Sequence, residues 1–356
     1  MAGNAFGVND ASAVKLWSKM LAAEIPEQTY IGRFMGTSAN SLFQQKTETS
    51  KSEGDQIKFS LRMLASGDGT SEGETQEGNE ESLTLYQDSL LINELGHAHR
   101  VKKPGTIDAQ RISFDMRDEA KESLKDWWAR RLDQMAFNQL CGYTPETNAK
   151  KYGFNAPVAP SNFIRANAQA TDQAIGSSDK FTVSLIDKAV EIARTRAGGP
   201  RIRPVRVNGK DMYVMFIHPQ QETQLRIDTG TSGWLDIQKA LIQGGESDKS
   251  GIFNGALGVW NNVVLHSSEF VTQGVNGSTG AAITTVRRAV LCGAQSLSLA
   301  YGQANGAQKY KWVEQDFDYD REVGVRASTI LGMKKTRFNS IDFGVIVCST
   351  YATAAS

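Results

Sequence analysis

The strongest constraint in this sequence is residues 108–141, DAQRISFDMRDEAKESLKDWWARRLDQMAFNQLC, which hold neither Gly nor Pro. Apolar residues fall at Ile112, Met116, Ala120, Leu124, Trp128, Leu132, Met135 and Leu140. Steps of mostly three or four residues put them on one face of a helix. Such a helix would be roughly 50 Å long, beyond the usual globular length. Asp108 is its expected N-cap, and Gly142 supplies a left-handed residue to end it. Asp126 and Arg130 are spaced to pair on the exposed side. This is a strut rather than an active site.

Upstream, residues 1–53 read as an arm. A short amphipathic helix is expected after Asp10, with Val14, Trp17, Met20 and Leu21 on one side, stopping at Pro26. Trp17, Tyr30, Phe34 and Phe43 are apolar anchors that need a neighbour to lie on. Residues 54–103 read as a long two-stranded hairpin. Gln56 to Met63 alternates strictly, as a strand with one buried face does, and the return limb spans about 82–101. Between the limbs Gly, Ser and acids dominate. From Ala65 to His99 there is no Lys or Arg, while Asp68, Glu72, Glu74, Glu77, Glu80 and Glu81 accumulate. Like charges this dense repel, so the tip should be extended unless a basic partner receives it.

Downstream of the strut, residues 143–180 are loop-rich, with Pro145, Pro157 and Pro160. A second helix is expected from 182 or 184 to 197, ended by Gly198-Gly199-Pro200. The apolar run 211–217 is a buried strand, and 259–270 is a second strand candidate. Between them, 230–258 is Gly-rich with a helical piece at 234–242. Strand-like patterns recur at 289–301, 310–330 and 341–351. Long helices with mainly antiparallel strands make the class α+β. There is no internal repeat.

The charges cancel, with 39 Lys+Arg against 39 Asp+Glu, which argues against a dedicated nucleic-acid binder or a polybasic membrane anchor. Cys141, Cys292 and Cys348 are far apart, without any CxxC, and fit buried free thiols in a reducing cytoplasm. No stretch approaches the ~20 apolar residues of a membrane span, and the N-terminus lacks signal-peptide regions. The protein is expected to stay inside a cell unless it leaves as part of an assembly.

Motifs that suggest chemistry fail in context. Gly69-Thr70-Ser71-Glu72-Gly73 spells G-x-S-x-G, but a nucleophile elbow needs a strand-to-helix turn, and this lies at a hairpin tip. Asp316, Asp318 and Asp320 spell D-x-D-x-D, yet Arg321 and Ala327 stand where a calcium loop needs Gly and Glu. On a strand these acids would share a solvated or subunit-facing edge. His97 and His99 could pair on a metal, with no Cys nearby to help. His218 and His266 fall at strand ends, where structural histidines are the default. Arg201, Arg203 and Arg206 form a basic knot that could grip phosphate or a neighbour's acids. GxGxxG, GxxxxGK and HExxH are absent. Catalytic, cofactor and metal residues are therefore assigned to none.

The patterned parts are an arm, a hairpin and a strut, elements that leave a subunit and need other subunits to cover them. In that order, with a β-rich C-terminus, they resemble the major capsid proteins of tailed bacteriophages, the HK97-like fold. Several stretches are similar to the capsid family typified by N4-like podoviruses: GDQIKFSLRM, EGNEESLTLYQDSLLINELGHAHRVKK, FDMRDEAKESLKDWWARRLDQMAFNQL, PRIRPVRVNGKDMYVMFIHPQQETQLR and IFNGALGVWNNVVLHSSEF. The resemblance implies an arm at 1–53, an extended loop at 54–103 lying over a neighbour, and a peripheral domain at 104–207 with 108–141 as its spine. It further implies an axial domain at 208–290 and peripheral return strands at 291–356. The implied product is an icosahedral shell of hexamers and pentamers around double-stranded DNA, made in the bacterial host cytoplasm and located in the virion. Implied partners are the portal, a separate scaffolding protein, a decoration or cement protein, and DNA held non-specifically. With no Lys at the tip, a non-covalent shell is expected. Asp68, Glu72, Glu74 and Glu77 are expected to latch onto a neighbour's Arg117, Lys121 and Lys125, with Trp17 as a further inter-subunit anchor. The alternatives are an intracellular enzyme with a loop-built anion site at His218, His266 and Arg201 to Arg206, or another virion protein such as a tail component.

Overall fold

Asp115, not Asp108, starts the long helix. In the computed structural model, which describes residues 25, 29–46, 55–62, 69–111, 114–195, 201–207, 209–227, 255–302 and 309–354, it spans Met116–Leu140. The Asp115 carboxylate accepts the Arg117 N–H at 2.8 Å, an N-cap bond the stretch offers in two places and uses here. A separate short helix, Ile107–Arg111, precedes it. The far end follows the sequence: Gly142 takes φ 59°, Tyr143 N–H donates to the Asn138 carbonyl at 2.9 Å, and Gly142 N–H donates to Gln139 at 3.1 Å. That pair of bonds is a Schellman motif. At 25 residues the helix is about 37 Å long. The expected stripe is buried from Ala120 onward, and from Leu132 to Leu140 nearly every residue is covered. The strut is therefore embedded at its C-terminal end. Arg130 turns from Asp126 toward Glu269, at 3.9 Å.

Two sheets carry the body. The first has six strands. Glu322–Lys335 pairs on one side with Asn93–Lys102 and on the other with Lys311–Phe317 and Leu297–Tyr301. The arm strand Phe43–Lys46 adds parallel to Leu297–Tyr301, with Met35–Gly36 beyond it. Leu297–Tyr301 is buried on both faces, so its Leu/Ser alternation does not mark an inside and an outside. The second sheet has eight strands: Phe163–Arg165, Val345–Tyr351, Ala282–Cys292, Lys210–Ile217, Val263–Ser267 and Gly258–Trp260 in order, with Gln273–Val275 paired to Ala282–Cys292 and Val205–Val207 to Lys210–Ile217 off that path. The run read as one strand at 259–270 is a hairpin: Asn261 and Asn262 take φ 45° and 61° and reverse the chain, as Asn in a two-residue turn can. The boundary drawn at 290 falls inside Ala282–Cys292, and Val345–Tyr351 joins this sheet rather than the first.

The eight-stranded sheet separates two cores. Val214, Phe216, Val264, Val290 and Val347 face the long helix and the arm. Tyr213, Met215, Ile217, Val263, Leu291 and Ile346 face the helix Val183–Thr195. Period-two alternation is present, but both faces are apolar because both are covered. The expected helix at the N-terminus and the one at 234–242 lie outside the described residues.

Candidate inter-subunit surfaces

The hairpin pairs Gln56–Arg62 with Leu85–Leu91, in register from Gln56 opposite Leu91 to Arg62 opposite Leu85. The return limb is shorter than its alternation suggests, because beyond Ile92 the chain enters the six-stranded sheet. Ile57 and Leu90 are buried near Ala300, and the half-buried Phe59 ring meets Phe338 edge-on at 5.9 Å. The opposite face, Gln56, Lys58, Ser60 and Arg62, is exposed. Above it, residues 69–84 are nearly all exposed, with Leu83 at 67% and Leu85 at 52%.

Part of the acidic tip is spent on its own turns. Glu74 accepts the Ser71 N–H and Glu80 the Gly78 N–H, each at 2.8 Å. Gly69, Gly73 and Gly78 take positive φ there, so the G-x-S-x-G triplet is turn chemistry. Glu72 and Glu77 face solvent. Asp68 and Trp17 lie outside the described residues. Of the expected receiving cations, Arg117 donates to its own subunit's Glu314 at 2.7 Å and keeps 39% of its side chain exposed. Lys125 pairs with Glu122 at 3.0 Å, and Lys121 is only 8% exposed.

The arm is tied to the helix by a residue that sequence reasoning passed over. Asp133 accepts the N–H groups of Tyr30 and Ile31 at 3.0 Å each, and so docks the turn Tyr30–Phe34. Burial drives its carboxyl up to about 6, although both N–H bonds oppose the shift. The signal was an acid between Leu132 and Met135, inside the apolar stripe. Phe34 and Phe43 are buried as expected of anchors, with Phe34 edge-on to Phe216 at 5.2 Å. A second unforeseen centre is Asp172. It receives Arg288 Nε at 3.0 Å and Nη2 at 2.8 Å, Arg165 Nε at 2.9 Å and the Val275 N–H at 3.2 Å. Burial opposes its charge, but these cations and donors hold the carboxyl below its usual range.

The groups of the enzyme alternative are committed to separate tasks. His266 is fully buried among aromatic rings, 5.0 Å from Phe34. His218 Nδ1 accepts the Gln220 N–H at 3.2 Å at the start of the helix Pro219–Ile227. Arg206 pairs with Asp211 at 3.0 Å. Asp318, Tyr319 and Asp320 form a left-handed turn between strands instead of sharing a strand face, and Lys103 binds both Asp316 and Asp320. His97 stacks flat on Trp127 at 4.4 Å, and His99 reaches Ser123 at 3.2 Å. Among the described residues no group of three or more His, Cys, Asp or Glu could hold a metal ion. All three cysteines are free and buried, and burial pushes the Cys348 thiol up to about 12.

Comparison with known proteins agrees with this geometry. The family described as "Phage capsid protein" matches residues 5–354. The major capsid protein of Pseudomonas phage KPP25 is 28% identical over 367 residues, covering 93% of each chain. The capsid of Ralstonia phage GP4 superposes with a TM-score of 0.78 at 30% identity, covering 100% of both chains. The capsid of cyanophage Pam1 gives 0.69 at 20% identity, covering 92% of this chain and 93% of that one. Over nearly its whole length the chain thus follows an architecture shared with solved phage capsids. The chain belongs to the phage capsid protein family, has the HK97-like fold, and is a phage major capsid protein.

Proposed function

We propose that copies of this chain associate as hexamers and pentamers into an icosahedral shell around the double-stranded DNA of a tailed phage, each hairpin lying over the next subunit. The observation that carries this reading is the hairpin itself: beyond a foot seated on its own subunit through Ile57, Leu90 and Phe59, the chain runs on into a tip with Leu83 and Leu85 exposed. An isolated two-stranded ribbon is marginal in water, so a neighbour's surface is the natural cover. The long helix and the six-stranded sheet form the peripheral part, and the region around Lys210–Ile217 the axial part. Glu72 and Glu77, with Asp68 and Glu74, supply the acid side of a latch. On the helix Arg117 is the more accessible receiver, since Lys121 and Lys125 are largely covered in their own subunit. Each such pair contributes about 0–1 kcal/mol, so the latch acts through repetition. A formal net charge of +0 suits a shell that holds DNA without adhering to it. Synthesis takes place in the host cytoplasm; a scaffolding protein and a portal direct closure, and a decoration protein covers the outside. The test is sedimentation with negative-stain imaging of the chain alone and with its scaffolding protein. Closed shells or capsomer rings are expected, and a small monomer under both conditions overturns the reading.

A further inference from the structure

Among the described residues the hairpin strands pair only with each other, and Ile92 alone separates Leu85–Leu91 from the strand Asn93–Lys102 of the six-stranded sheet. No ladder therefore fixes the hairpin to the body. A side chain stands in for one. The Asn155 amide oxygen accepts the Leu91 N–H at 3.0 Å, and its Nδ2 donates to the Leu91 carbonyl at 2.9 Å. Those are the two bonds a residue of an adjacent strand would exchange. Asn155 is itself held by the spine. Gln139 of the long helix donates to the Asn155 backbone carbonyl, and to the Tyr152 carbonyl at 2.7 Å. Three residues back on the same limb, the Asp88 carboxylate binds the Lys334 ammonium and accepts the Arg337 N–H at 3.0 Å. Lys334 also donates to the Ser89 carbonyl at 2.8 Å. Gly332 permits this approach, since a Cβ there would lie 2.0 Å from the Leu91 oxygen.

We infer that Asn155 and Asp88 are positioning residues that set the angle at which the hairpin leaves its subunit, and hence where its tip meets the next one. The inference rests on the reading that the hairpin lies over a neighbour. Two clamps on one limb define a direction; without them the hairpin rests on the non-directional apolar seat of Ile57, Leu90 and Phe59, and its angle can shift at Ile92 without breaking either body sheet. The lever is long. Seven strand residues reach about 23 Å, so a tilt of about 10° moves the far end by roughly 4 Å, enough to exchange one set of side-chain contacts for another.

The test uses the full chain with spin labels at Ser60→Cys on the hairpin and Asp126→Cys on the helix, both exposed positions, the native cysteines being buried. A single narrow distance is expected in the labelled parent. Asn155→Ala and Asp88→Asn should each broaden it. In Asn155→Ala the Leu91 amide should also exchange roughly tenfold faster, the size of one net hydrogen bond, while Val325 and Val290 in the two sheets keep their protection. Unchanged narrow distances in both variants overturn the inference. So does loss of sheet protection in both, because the residues then hold the fold and not the angle. Assembly of the same chains is scored separately. Broad distances with shells of normal yield and shape leave the positioning role standing and overturn the overlay reading beneath it.

Discussion

Leu85–Leu91 and Asn93–Lys102 are one residue apart and similarly half-exposed, yet they differ in what their hydrogen bonds reach. The second strand bonds over ten residues to Glu322–Lys335, which is held on its other side by two more strands. The first bonds over seven residues to Gln56–Arg62, which bonds to nothing beyond it among the described residues. Burial hardly separates the two; the partner's own anchorage does. The lesson is that a strand is only as fixed as the ladder behind its partner, so one continuous limb can hold a rigid half and a movable half.

The largest test of this contrast is made under the rigid half. Trp128 is fully buried in the long helix, 5.3 Å from Tyr310. Trp128→Ala should cost about 3–5 kcal/mol in denaturant unfolding, through lost transfer energy and the cavity left behind. Amides of Asn93–Lys102 should lose protection with the whole fold. If that strand stays protected while the rest unfolds, it does not belong to the body's cooperative unit.

A smaller effect is expected at the junction. Gly332 sits on the central strand at the hairpin's foot, and the added Cβ of Gly332→Ala would collide with Leu91 O. Overpacking of this kind costs about 1–3 kcal/mol. Because the ladder that holds Leu91 ends at Gln56–Arg62, Leu91 can move more easily than Asn93–Lys102, and the hairpin amides should lose protection first. Equal loss in both would abolish the distinction between the two halves.

How much of this was legible beforehand follows from the same physics. Period-two alternation shows which face of a strand is covered and located Gln56–Arg62 well, while a continuous apolar run located Lys210–Ile217, which is covered on both faces. It carries no information about the partner, so 82–101 read as one limb. Helix periodicity found the spine, but not which of two Asp residues caps it; only Asp115 has the extended backbone and the bond to Arg117. The two Asn residues at 261–262 were the visible signal of a turn within an apolar run and went unused. Asp133, Asn155 and Asp172 were hidden for a different reason: each acts on a backbone or side chain far away in sequence, and a lone polar residue does not announce its partner.

A pH experiment probes how the rigid half is held to the spine. On Asn93–Lys102 the His97 imidazole lies on Trp127, with His99 at 5.2 Å and Arg131 over the same indole at 5.0 Å. Burial first, then His99 and Arg131, keep His97 below its usual value of 6.5. The folded state therefore binds this proton less readily than the unfolded chain. Its contribution is complete above pH 6.5 and is lost as pH falls from there through the folded value. His97→Phe keeps the stacking and removes the proton, so the stability profile should flatten below pH 6.5 while its level above changes little. A profile with the same acid slope in both chains would assign that slope to other groups.

The smallest effect on the subunit, and the one that isolates the movable half, is at the acidic tip. Glu72 and Glu77 are exposed and bond to no body element among the described residues, so Glu72→Lys with Glu77→Lys should leave unfolding within about 0.5 kcal/mol of the parent. Any consequence must then arise between subunits. Exposed charges are screened beyond a Debye length of about 10 Å at 0.1 M salt, so the variant shells should weaken most at low salt and converge on the parent as salt rises. Sedimentation across a salt series reads this directly. A defect independent of salt would mean that the tip acts through shape or through Leu83 and Leu85, and identical shells at every salt concentration would remove the acids from assembly altogether.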